Sequence, residues 1–114
     1  MNASLEKYLL VRKFAVGPDL KLFFESKYDM DERRVLELID VAGYVDTTTI
    51  DTVIHHVDIK ELGSTYTFDL AARLDRPEVG RFKEVFLYTD AQGLGFSFRA
   101  VAREVNFRYE GPGD

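Results

Sequence analysis

The sequence predicts an α+β domain: one curved, mostly antiparallel sheet of about six strands with a single helix, in the order ββαββββ. Three observations lead there. Apolar and polar residues alternate through most of the chain, the period of a half-buried strand. Residues 31–42 depart from that alternation and carry Val35, Leu38, Ile39 and Ala42 at the spacing of one helical stripe. Turn chemistry at Gly17-Pro18-Asp19, Gly63-Ser64 and Asp90-Ala91-Gln92-Gly93 separates the alternating runs at hairpin intervals.

The first hairpin spans residues 8–28. Tyr8, Leu10, Phe14 and Val16 alternate with Leu9, Val11, Lys13 and Ala15, and after the turn Leu20, Leu22, Phe24 and Tyr28 alternate with Lys21, Glu25 and Lys27. A helix over residues 5–14 is the competing reading. The predicted helix follows, with Asp29 as N-cap, Glu32 completing a capping box and Gly43 closing the C-terminus. Residues 52–61 are dense in Val, Ile and Thr and read as a strand, although Ile50, Val53, Ile54 and Val57 also fit a helical spacing. Tyr66, Phe68, Leu70, Ala72 and Leu74 share one parity, so residues 65–75 read as its hairpin partner.

The last hairpin, residues 81–109, organises the chain. Phe82, Phe86 and Tyr88 share a face in its first strand. In its second, Leu94, Phe96, Phe98, Ala100 and Ala102 hold one parity and Val105, Phe107 and Tyr109 the other. A slip that keeps apolar residues inward is what a β-bulge supplies, which places one at residues 101–104. Gly93 is expected at positive φ in the loop.

A chain of 114 residues is expected to form one domain, 1–114, with residues 1–5 and 110–114 loose at its ends. It has no cysteine, which excludes disulfides and thiolate chemistry. No basic-plus-apolar leader or membrane-length apolar run is present, so a cytoplasmic protein is expected. Its net charge of −5 lies in the first two thirds, because acids and bases balance from Arg73 onward. That charge argues against nonspecific nucleic-acid affinity.

Candidate chemistry is sparse. His55 and His56 are the only histidines, and strand alternation puts them on opposite faces. His56, Asp58 and Asp69 fall on one face in either register of the expected 52–75 hairpin, as weak candidates for a divalent cation or a proton switch. The competing reading is a solvated polar face. His55 reads as a hydrogen-bonded core or interface residue. Gly93-Leu94-Gly95 lacks the third glycine and following helix of a dinucleotide site. No cofactor is implied.

One helix cannot cover a six-stranded sheet, and Leu9, Val11, Phe23, Ile54, Val85 and Leu87 carry apolar side chains on the second parity. Either the sheet curls toward a partial barrel around the helix, or its outer face meets another copy. The leading expectation is a protein–protein interaction module, such as an inhibitor, immunity-type protein, adaptor or assembly subunit. It would act through a sheet face or edge, as a homodimer or higher oligomer. Phe23, Leu87, Arg99, Arg103, Phe107 and Tyr109 are the candidate partner surface. The alternatives are a pocket protein using His55 or His56, and a single-strand nucleic-acid binder using Arg99 and Arg103.

Overall fold

Gly17, at φ +57°, turns the chain between β2 (Tyr8–Val16) and β3 (Asp19–Ser26), the first hairpin expected from the alternation. The computed structural model describes residues 2–29 and 31–110, so the tail expected at 111–114 lies outside the described residues. The amino end is not loose. Asn2–Ser4 forms β1 against β5 (His56–Lys60), and Leu5 behind it is fully buried.

The expected helix at residues 31–42 is instead a long strand, β4 (Arg33–Asp46), paired with β3 on one side and β7 (Phe96–Tyr109) on the other. Leu36 and Leu38 point into the core while Val35 is buried on the opposite face. A central strand covered on both faces places apolar residues at neighbouring positions, and that spacing imitates a helical stripe. Asp29 does not cap a helix; its carboxylate accepts the Asp31 N–H in the turn before β4.

The true helix is α1 (Thr65–Leu74), where a strand was expected. Ser64 is its N-cap, accepting the Tyr66 N–H, and Asp75 ends it in the left-handed conformation. Tyr66 and Leu70, four residues apart, make its packing face. A 3₁₀ turn (Pro77–Arg81) then leads into β6 (Lys83–Tyr88) and the last hairpin. Among the described residues the chain therefore has seven strands and one α-helix, with α1 between β5 and β6.

The strands form one antiparallel sheet in the order β1-β5-β6-β7-β4-β3-β2. Its two ends meet, because residues 5–7 join β1 to β2. Leu9 bridges Val53, and the Leu5 and Asp51 amides bond the carbonyls of His55 and Leu10. The sheet thus curls on itself, one of the two arrangements expected, but α1 packs outside the barrel rather than within the curl. Leu10, Leu22, Phe24, Leu36, Val57, Leu87, Phe98 and Ala100 fill the interior, as side chains do in barrels of this strand number. Val79, Phe82 and Val101 form a second core beneath Tyr66 and Leu70.

Two further expectations resolve here. The slip at residues 101–104 is present, since Ala102 and Val105 both face the main core. Asp40 opposite it adopts φ +55°, and the β4–β7 register shifts between Val41 and Gly43. On β6 the faces are reversed: Val85 and Leu87 point inward, and Phe86 and Tyr88 lie outside.

Candidate functional site

The two histidines do not sit back to back. His55 precedes β5 rather than belonging to it, so its ring turns toward that of His56, with the two Nδ1 atoms 2.7 Å apart. One of these nitrogens must donate and the other accept. His55 Nε2 lies 3.0 Å from a Glu6 carboxylate oxygen, and His56 stacks on Tyr88 at 4.8 Å. Asp58 shares the outer face of β5 with His56. Asp69 does not join them, because α1 carries it on an exposed position. Among the described residues no three His, Cys, Asp or Glu side chains converge as a metal site requires.

Arg99 belongs to a polar clamp that sequence reasoning missed. Glu84, on the outer face of β6, is 1% exposed. Its carboxylate accepts hydrogen bonds from the Ser64 N–H at 2.7 Å, the Ser64 and Thr67 hydroxyls at 2.5 Å, and Arg99 at 3.0 Å. Burial alone would raise the Glu84 pKa, but these donors outweigh it and hold the carboxyl below its usual range. The negative charge sits at the N-terminus of α1, whose own first turn has no acid. The clamp fastens the helix to the barrel. A glutamate on a strand otherwise facing apolar neighbours was its one sequence signal.

The remaining partner-surface candidates separate by position. Leu87 is in the barrel interior and presents nothing to a partner. Phe23 lies half-buried on the outer face under Arg12. Arg103, Phe107 and Tyr109 fall together on the second half of β7. There the sheet is open: β6 pairs with β7 only up to Ala102, so among the described residues 103–109 have β4 as their sole neighbour strand. The Glu110 N–H bonds Arg33 O on β4. Strand amides alternate in direction, so those of Val105, Phe107 and Tyr109 point away from β4, toward the open side.

That side is a groove of about 490 Å³, bounded by Ile59 and Glu61 across from Val105, Asn106, Phe107 and Arg108. Its apolar wall is held rigid. Phe107 meets Phe24 edge to face at 6.5 Å, and the Arg34 guanidinium sits 3.9 Å from the Phe107 ring and 4.1 Å from that of Tyr109.

The other one-sided edge, the second half of β2, is built differently. A register shift between Leu10 and Arg12 disrupts it, and Lys13 turns across it to bond Asp46 and Thr48. A bulge and an inward lysine are the usual protection of an edge strand. Residues 104–109 have neither, and no proline.

Neither histidine lines the groove beside β7, nor the smaller ones beside Pro18 and Tyr44, beside Phe14 and Lys21, and beside Arg12 and Phe23. Among the described residues no helix is long and apolar enough to cross a membrane. In comparisons with known proteins, no family model, curated protein or solved structure matches the chain.

Proposed function

We propose that the chain is a protein-interaction module that works by strand addition at the free edge of β7. The observation that carries this reading is the length mismatch between β7 and β6. It leaves three outward-pointing amides beside a groove in which Ile59, Val105 and Phe107 are flanked by Glu37, Glu61, Asn106 and Arg108, on an edge without a bulge or proline. An extended segment laid along that edge gains main-chain hydrogen bonds from Val105, Phe107 and Tyr109. Its alternate side chains enter the groove over Ile59 and Phe107. The pinned rings of Phe107 and Tyr109 lower the ordering cost of binding.

The barrel interior favours this over an enclosed ligand site, because side chains occupy it. The arginines suit it better than a nucleic-acid strip, because Arg99 is committed to Glu84 and Arg103 to Glu104 and Asp40.

The test is selection of displayed random peptides on the chain at high dilution, followed by binding to Phe107→Pro and Phe107→Leu variants. Proline deletes the outward N–H and is tolerated on edge strands, whereas leucine keeps the donor. The expected result is peptides with alternating apolar residues that bind wild type and Phe107→Leu and are lost on a folded Phe107→Pro. Selection of no peptide, or peptides that bind Phe107→Pro undiminished, overturns the proposal.

A further inference from the structure

The geometry points to a second copy of this chain as the occupant of that edge, its β7 antiparallel to the first across a two-fold axis through Asn106. This rests on the strand-addition reading. Three features select it.

The open stretch, residues 103–109, is centred on Asn106. An identical strand laid antiparallel about that centre ends level with Ala102, where β6 takes over as neighbour. The hydrogen-bond phase agrees. In this register Val105 stands opposite Phe107 of the second copy, and both carry outward amides, so the two residues form a hydrogen-bonded pair; Asn106 meets Asn106 in the closer, non-bonded type of pair. The side chains are also self-complementary. Glu104 stands opposite Arg108 of the second copy, twice by symmetry, and Val105 and Phe107 face each other over the grooves. Moving the axis to Phe107 would set Glu104 against Glu110. Moving it to Val105 would leave Arg108 beyond the end of Glu104's reach.

The local charge supports this choice of occupant. The chain as a whole is acidic, at −5, which opposes self-association. At the edge Arg103 and Arg108 stand beside Glu104, while Glu37 and Glu61 line the groove, so the Arg108–Glu104 pairs across the axis are what offset repulsion there. Arg108 leans toward Glu37 at 3.6 Å, and its five donors can serve that carboxylate and Glu104 of the second copy together.

The experiment is sedimentation velocity of wild type, Glu104→Arg, Arg108→Glu and an equimolar mixture of the two variants. Each reversal places like charges opposite one another twice and should weaken self-association by about tenfold or more. In the mixture the reversed charges become complementary, so dimers should return as mixed pairs.

A second variant stands apart from these charges and from any folding defect beside Glu37. The protein has no cysteine, so Asn106→Cys should link to its own copy under mild oxidation, while Glu104→Cys and Arg108→Cys should not. A dimer indifferent to both reversals, or one that links through Glu104→Cys as readily as through Asn106→Cys, overturns the inference. A wild type that stays monomeric at every concentration but still binds edge peptides also overturns it, and leaves strand addition standing. A monomer that binds no peptide removes both.

Discussion

Glu84 shows how much one residue can hold in place. Its carboxylate joins the N-cap serine, a buried threonine and an arginine from a neighbouring strand, so it fixes α1 to the barrel. The Glu84→Gln variant should lose about 1–3 kcal/mol of stability, measured by denaturant unfolding, because the donors lose a charged acceptor. The pH dependence follows from the lowered pKa. A carboxyl held lower in the folded than in the unfolded chain contributes stability that is complete above the ordinary carboxylate value near about 4.3 and is lost as pH falls through the folded value. Wild type should therefore lose more stability than Glu84→Gln between about pH 6 and pH 3. Parallel losses would show that the clamp carries no charge-dependent stability. Gly43 acts at the same scale. A Cβ there would meet Leu70 at 2.9 Å, so Gly43→Ala should cost about 1–3 kcal/mol by pushing the helix off the sheet. A neutral Gly43→Ala unfolding curve would mean that Leu70 moves aside freely.

The elements show which patterns carry through from the chain. Both terminal hairpins were legible, since their alternation survives in Leu22 and Phe24 of β3 and in Phe98 and Ala100 of β7. Gly17 and Gly93 turn at positive φ where the turn chemistry placed them. The helix and one strand were exchanged for a physical reason. Val35 and Leu38 are buried on two faces of β4, which no single-face pattern can distinguish from a helical stripe. Tyr66, Phe68, Leu70 and Leu74 lie on a helix whose Phe68 and Leu74 are exposed, and that exposure produced the false alternation. Barrel closure depends on contacts such as Leu9 to Val53, between segments far apart in sequence. The reversed face of β6 followed from missing α1. Leu87→Glu should therefore unfold the chain by placing a charge in the barrel, while Phe23→Glu should remain folded; circular dichroism melts distinguish them, and a folded Leu87→Glu would contradict the assignment. The edges are also separable. Lys13→Val should promote aggregation at β2, measured by light scattering, because it removes an inward charge that guards the edge. Unchanged scattering would mean that the bulge protects that edge alone.

At the scale of the whole molecule, the barrel closes most of its strand edges, and among the described residues an unguarded one-sided stretch remains where β7 outruns β6, beside the guarded one in β2. Arg103, Phe107 and Tyr109, where an interaction surface was expected, lie on the stretch of β7 that has β4 as its sole neighbour strand among the described residues. What made it specific, an edge open beside a groove, required the pairing pattern. The histidine pair stands elsewhere on the barrel, beside Glu6 and Tyr88, and takes no part in that edge. The measurement that tests strand addition most directly is amide hydrogen exchange at Val105, Phe107 and Tyr109, compared between dilute chain and chain associated with a copy or a bound peptide. The three amides should exchange quickly when dilute and become protected on association, while those of Asn106 and Arg108, directed to β4, stay slow in both. Association that leaves Val105, Phe107 and Tyr109 exchanging at the dilute rate would contradict it.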